Sequence, residues 1–392
     1  MEQKMIKIEI PYLLTVIVSA LLLVIGHKIA VNGLYNFQSY TQEVEKAKVQ
    51  GIVDRIETDI DLYEEDFDDP GEFDDSLSII PGQKIIFESK ITSGPRKGQL
   101  ILAEQNFSPL LMDRSKEVSK GDHILLVNNG IGWYFGGYVR TNKLLGMGFL
   151  FVFCLLLFGR KKGFNTVLSL GFTCTAIFAV FIPSILSGKN IYLMSILVCV
   201  YTMIVTPLIV IGYNKKSLAA ITGCTGGVMV SGIITLIMDK ALYLTGIIDE
   251  HSRYLINLPG GLDLNLRAII FAGIIIGAMG AVMDVAISLS SSLWEIKEKA
   301  KSIAFKELFT SGITIGRDIM GTMADTLILA YIGSSLTVVL ILSVFSGSVL
   351  GLFNSEMIAV EILQALAGSL GILFAMPLTA FFSSLIFLKE KD

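Results

Sequence analysis

The sequence predicts a polytopic α-helical membrane protein of eight transmembrane helices, with an extracytoplasmic small β-barrel or OB-like domain between the first and second helices. Three observations point there. The 392 residues are 53% hydrophobic and only 17% charged, with a mean hydropathy of +0.67, against roughly 45–50% apolar and 25% charged for soluble domains. Apolar stretches recur at about 20 residues, the length that crosses the hydrocarbon of a bilayer. After the first stretch the pattern changes to short β-branched runs divided by turn residues, the signature of strands.

The apolar stretches run Pro11 to Ala30, Leu144 to Phe158, Thr166 to Leu186, Ile191 to Tyr213, Leu218 to Leu244, Ala268 to Leu293, Ile319 to Phe345 and Ile362 to Leu388. No A-x-A-like cleavage site follows the first, so residues 1–30 read as an uncleaved anchor. Residues 31–140 form the outer domain and residues 141–392 the remaining seven helices. Lysine and arginine in short loops favour the cytoplasm. They gather at Lys4 and Lys7, Arg160 to Lys162, Lys215 and Lys216, the run Lys297, Lys299, Lys301 and Lys306, and Lys389 and Lys391. These clusters fall at every second loop, which is consistent with both termini in the cytoplasm and the β-domain outside.

Within that domain the expected strands are Lys48 to Glu57, Gln83 to Thr92, Gln99 to Glu104, His123 to Val127 and Trp133 to Val139, with a turn at Ser93 to Gly98. A small antiparallel barrel or sandwich, loosely OB-like, would satisfy the edges of five such strands. The net charge of −4 conceals twelve acidic residues between Asp54 and Asp75. That stretch reads as a solvated loop. A cation site is the alternative, although the calcium-loop spacing that ends in glutamate is missing.

Several chemistries lack their residues. The cysteines Cys154, Cys174, Cys199 and Cys224 stand singly in apolar runs, and His27, His123 and His251 show no zinc-ligand spacing. There is no phosphate-binding loop and no recognisable nucleophile–base pair. The expectation is therefore a protein that is not an enzyme, uses no cofactor or resident metal and binds no nucleic acid.

Charged groups at membrane depth cost a few kcal/mol each and demand a reason. In the sixth apolar stretch Gly273, Gly277, Gly280, Asp284, Ser288, Ser291 and Glu295 recur every three or four residues, so they share one helix face. The glycines would let another helix approach, and Asp284 and Ser288 would handle a proton or an ion. At the seventh, Arg317 and Asp318 read as the opening of the helix, where Asp318 serves as a cap or a coupling group. Asp318, Gly321 and Asp325 share a face, with Asp325 about two turns deeper. Asp284 and Asp325 are expected in one protein-lined cavity, where paired carboxylates suit reversible protonation or cation binding. Asp239 and Lys240 read as interface residues, and Gly223, Gly226, Gly227 and Gly232 as a packing seam.

The segments Gly277 to Ala286, Ser311 to Met323 and Leu327 to Ser335 resemble the YibE/F family of bacterial multi-pass membrane proteins. A fainter similarity is to the SecD/SecF and RND-type membrane cores. The first resemblance implies an outer β-domain followed by seven helices in a bacterial plasma membrane. The leading functional expectation is a secondary transporter or permease, proton- or cation-coupled through Asp284 and Asp325, for an unknown small solute or ion. The alternative is a membrane accessory or assembly factor whose β-domain binds a cell-envelope partner. The bilayer is a partner in either case, and a homo-oligomer is compatible with both.

Overall fold

The computed structural model describes residues 10–33, 43–60, 80–107, 116–256, 264–300, 302–345 and 348–388. Most of the acidic stretch, together with Lys4, Lys7, Lys301, Lys389 and Lys391, lies outside the described residues. The chain divides into two compact units, Asn36–Val152 and the combination of Met1–Tyr35 with Phe153–Asp392.

The first unit holds five strands, β1 (Glu43–Ile60), β2 (Ile80–Ile91), β3 (Leu100–Phe107), β4 (His123–Asn128) and β5 (Trp133–Tyr138). They close into a barrel in the order β1-β2-β3-β5-β4. All five predicted strands are there. β1 is longer than expected, at 18 residues, because it wraps round the barrel. It pairs with β4 at its start and with β2 onwards, and register shifts at Val49/Gly51 and Ile52/Asp54 bend it. The contact between β3 and β5 is parallel, and the other pairs are antiparallel. Closure gives every strand two neighbours, although β1 beyond Lys48 pairs with β2 alone. Alternate residues fill the interior, with Ala47, Val49, Ile85, Phe87, Ile124 and Leu126 in its core. Gln105 is also buried: its Oε1 accepts from Val118 N at 2.9 Å and its Nε2 donates to Lys116 O at 3.2 Å, which ties the approach to β4 to the barrel wall. The predicted turn is present, with Gly94 and Gly98 at φ +77° and +95°, a region costly for other residues. Arg96 of that turn donates to Glu43 Oε2 at 2.6 Å and lies over the Trp133 ring, 5.3 Å from its centroid. The hydrogen bonds from Arg96 and Asn128, and the Arg96 charge, hold the Glu43 carboxyl below its ordinary 4.5.

The second unit is helical apart from its connections. Helix α1 (Ile10–Val31) is followed, after the barrel, by α2 (Thr141–Thr175), a π-helical stretch Ala176–Phe181 and α3 (Ile182–Leu186). At Arg160, φ 49° and ψ −124° break α2. A Cβ on Gly163 would collide with the Leu155 carbonyl, eight residues back, so the chain reverses there into the two separate arms that the basic loop predicts. Then come α4 (Ile191–Val210), α5 (Lys215–Ala241), the short α6 (Glu250–Ile256), α7 (Leu266–Lys299), α8 (Phe305–Ser334), α9 (Leu336–Phe345), α10 (Val349–Asn354) and α11 (Glu356–Leu388). Among the described residues, six helical segments are long and apolar enough to cross a membrane, and α8 with α9 forms a further pair bent by 56°. These helices are compatible with a multi-pass membrane protein.

Two boundaries differ from expectation. The span predicted as Ile319 to Phe345 is not one straight helix, because the chain bends at Ser335, after Gly333 and Ser334, a sequence type that kinks helices. Helix α8 also begins at Phe305, more than three turns before Asp318, so Arg317 and Asp318 are mid-helix residues rather than a helix start or cap. Its first turns are amphipathic, with Leu308 and Gly312 buried beside exposed Lys306 and Thr310, and a search for apolar runs passes over them.

The core forms where α5, α7, α8 and α11 meet. Helices α5 and α11 touch backbone to backbone. A Cβ on Gly227 would lie 2.7 Å from both Ala375 Cβ and Gly371 O, one on Gly226 would lie 2.6 Å from Leu378 Cδ1, and one on Gly223 would collide with Thr379. The glycine run of α5 is a packing seam, as its spacing implies. Gly232 is looser, with its nearest neighbours at 3.7 Å.

Candidate functional site

Helix α7 has two faces. Phe271, Ile275, Val282, Ala286, Leu289 and Leu293 are buried in the core, whereas Gly273, Gly277, Gly280, Asp284, Ser288 and Glu295 are all exposed. A Cβ at Gly273 or Gly280 would meet nothing among the described residues within 4 Å. At Gly277 it would lie 2.5 Å from Tyr331 Oη and 3.9 Å from Gln364 Nε2, so α8 and α11 border the stripe there.

Helix α8 is divided in the same way. Gly312 and Gly316 pack against Ala380 and Met376 of α11, and Met320, Met323 and Leu327 continue that side. At about 100° per residue, Thr310, Thr314, Asp318, Gly321 and Asp325 lie on the opposite side. All five are exposed, as is Arg317. Gly321 has no neighbour within 4 Å of a notional Cβ among the described residues. Near the start of α8 this face opens on a cavity of about 610 Å³ lined by Ile296, Lys306, Glu307, Thr310, Ser311 and Thr314 among others. The polar ladder thus begins in a cleft between the end of α7 and the start of α8.

The two helices meet near Leu293 and Gly312 at one end and Gly277 and Tyr331 at the other. Interpolated between these contacts, Asp284 stands level with about residue 323, within a turn of Asp325. On that interpolation the two carboxylates fall at similar heights along α7 and α8. Asp284 is exposed, and Asp325 points away from the packed side of α8. Among the described residues, no hydrogen bond or ion pair reaches the side chains of Asp284, Ser288, Arg317, Asp318 or Asp325.

Asp239 behaves otherwise. It is 9% exposed and accepts from Arg267 Nε at 3.0 Å and 3.2 Å, with Arg267 Nη2 on its Oδ2 as well, a fork that ties the end of α5 to the start of α7. Reading Asp239 with its neighbour Lys240 missed this pair. The available signal was Arg267 itself, an arginine at the edge of an apolar run, which seeks a carboxylate at the same depth. A second carboxylate, Glu356 at the start of α11, accepts from the backbone N–H groups of Thr245 and Gly246 at 2.7 Å and from Thr245 Oγ1 at 2.8 Å. It fastens the connection after α5.

A family model described as YibE/F-like protein matches residues 147–389. No curated protein and no solved structure matches the chain. The match covers all three segments that carry the resemblance, and none of these findings supports the likeness to SecD/SecF.

Proposed function

Since this chain belongs to the YibE/F-like family and carries several helices of membrane-crossing type, we propose that it is a secondary transporter or permease of the bacterial cell membrane. In this reading it crosses the bilayer eight times with both termini cytoplasmic, counting the arms of α2 as two spans and α8 with α9 as one. Protonation or cation binding at Asp284 and Asp325 is coupled to movement of a small solute or ion. Asp318, Ser288 and Arg317 line the approach.

The observation that carries the proposal is the contrast between two kinds of carboxylate in one bundle. Asp239 is buried and clasped by Arg267, the arrangement of a structural pair. Asp284 and Asp325 lie on polar helix faces with no partner among the described residues. An unpaired carboxylate at membrane depth costs a few kcal/mol and does no packing work in return. Such groups suit a path that a proton or cation enters, and the cleft at the start of α8 supplies an entrance on the side of the basic loops.

The test is a flux assay in vesicles reconstituted with the full chain, loaded with a pH-sensitive dye and screened across ion gradients. Asp284→Asn and Asp325→Asn keep shape and hydrogen-bonding capacity but remove the charge. Each is expected to abolish dye response while the protein still inserts and purifies normally. A fully active double variant would overturn the assignment.

The accessory-factor reading has one observation of its own: Leu100 and Leu102 on the outer face of β3 are 59% and 60% exposed, and Ile131 at the β4–β5 turn is 90% exposed. Exposed apolar side chains on a closed barrel suit a protein partner. Loss of a phenotype on substituting these residues, with Asp284→Asn silent, would favour that reading.

A further inference from the structure

Away from the carboxylate faces, α4, α5 and α7 leave an apolar trough between them. It has a volume of about 250 Å³ and is walled by Ile196 and Met203 of α4, Val228 and Gly232 of α5, and Phe271 and Ile275 of α7, among others. Its width depends on Gly232, where any larger side chain would project towards Phe271 and Ile275. Exposed Ile196, Val200, Met229 and Ile233 flank it, so it is open along its length from the bilayer side. At one end, Ile233 and Leu236 are shared with a second cavity of about 430 Å³, whose polar lining is Tyr192, Asp239, Lys240, Asn265 and Arg267.

This mouth has a definite electrostatic character. Asp239 and Arg267 neutralise one another, and the bond pattern occupies Nε and Nη2 of the guanidinium, leaving Nη1 without an acceptor among the described residues. Lys240 is exposed and has no partner among the described residues, so the mouth is net positive. Asn265 caps α7, its Oδ1 accepting from Ala268 N at 3.1 Å, while its amide N–H groups have no acceptor among the described residues. Tyr192 adds a hydroxyl. The positive end of the α7 dipole lies beside them. Donors and positive charge therefore converge at the end of a hydrocarbon-lined channel.

We propose that this continuous groove is a binding site for an anionic glycerophospholipid, with one acyl chain in the trough and the phosphate against Lys240, Asn265 and the Nη1 edge of Arg267. Length supports the fit. From Lys240 to Thr225, which lines the far end, α5 rises about 22 Å, more than the roughly 15 Å of one leaflet's hydrocarbon. A free phosphate would use the mouth and leave the trough idle. A neutral lipid would use the trough and leave Lys240 unmatched. The anionic lipid uses both.

The experiment is a native mass spectrometry titration of the full chain in detergent with dioleoyl phosphatidylglycerol, dioleoyl phosphatidylcholine or inorganic phosphate. The wild-type protein is expected to retain phosphatidylglycerol at least fivefold more tightly than phosphatidylcholine. Lys240→Ala should remove about a fivefold preference, the worth of one lysine at an anionic headgroup. Gly232→Leu should weaken both lipids together by closing the trough, and Ile233→Trp, which narrows it from the open side, stands in should Gly232→Leu fold poorly. Equal binding of the two lipids, an unchanged preference in Lys240→Ala, undiminished binding when the trough is narrowed, or displacement of the lipid by inorganic phosphate would each overturn the proposal.

Discussion

Adding one methyl group to helix α5 at Gly227 has a calculable effect. The new Cβ would stand 2.7 Å from Ala375 Cβ and Gly371 O and 2.8 Å from Val282 Cγ1. Carbon atoms rest comfortably at about 3.5–4.0 Å. Helix α11, α7 or both must therefore withdraw by about 1 Å, and overpacking of that kind costs about 1–3 kcal/mol. The better helix propensity of alanine returns only about 0.5–1 kcal/mol. With three contacts below 3 Å the cost falls in the upper half of that range, so Gly227→Ala is expected to lose about 1–2.5 kcal/mol net, a fall in midpoint of roughly 2–10 °C at the 2–4 °C per kcal/mol of large domains. At Gly273 and Gly280 the same methyl group meets nothing within 4 Å among the described residues. Alanine there should be neutral or stabilising by up to about 1 kcal/mol. Thermal unfolding of the detergent-purified chain, followed by a thiol-reactive dye at the buried cysteines, reads all three. If Gly227→Ala unfolds with the wild type, or if Gly273→Ala and Gly280→Ala fall as far, the division into a packed seam on α5 and an open stripe on α7 is wrong.

Removing either member of the Asp239–Arg267 pair should cost more than removing both. A double-mutant cycle with alanine is expected to give a coupling of about 1–3 kcal/mol, at the lower end because the arginine is part-exposed, and additive losses would refute the pair. A fragment covering residues 36–140 should unfold cooperatively without the membrane helices, because the barrel core is self-contained; a non-cooperative melt would show that it leans on them. Because the Glu43 pKa is lowered by Arg96 and Asn128, its contribution to that fragment is present above the ordinary 4.5 and lost as pH falls through the lowered value. Glu43→Gln should flatten the acid side of the stability profile, and an unchanged profile would count against the link. In intact cells, Gly98→Cys should react with an impermeant thiol reagent and Lys299→Cys should not; labelling at residue 299 would invert the proposed topology.

The fold was legible where one signal dominates. β-Branched runs divided by turn residues located all five strands, and apolar length located most of the helices, because the bilayer and the barrel interior each select residues by a simple rule. What escaped was set by tertiary geometry. The early start of α8 escaped because its first turns alternate Leu308 and Gly312 with charged and hydroxyl residues and show no apolar run. The ion pair escaped because Asp239 and Arg267 are 28 residues apart and meet only when α5 and α7 pack. The stripe on α7 was readable as a stripe, since helical period alone places Gly273 to Ser288 on one side. Which way that side turns was not readable. Glycine at every third or fourth position suits a close helix contact, and α5 uses its glycines in that way, yet the same spacing on α7 leaves most of the stripe open.

The two glycine patterns differ in what accompanies them. Around Gly223, Gly226 and Gly227 of α5 the intervening residues are small or apolar, and the partner face on α11 offers Gly371, Ala375 and Thr379 at matching heights. Two backbones then approach with no charge to desolvate, and dispersion contacts along the seam supply the attraction that lipid-immersed helices otherwise lack. On α7 the glycines lead into Asp284 and Ser288, and on α8 Gly321 lies between Asp318 and Asp325. A helix packed flat against either face would have to bury a carboxylate that has no ion pair among the described residues, at a cost of several kcal/mol that small-residue contacts do not offset. In the proposed transport role, water or an exchangeable cation would meet that demand without fixing the helices together. Glycine on these faces therefore works as absent bulk beside an ionisable group, keeping room for whatever neutralises it, whereas on α5 it works as absent bulk beside another backbone.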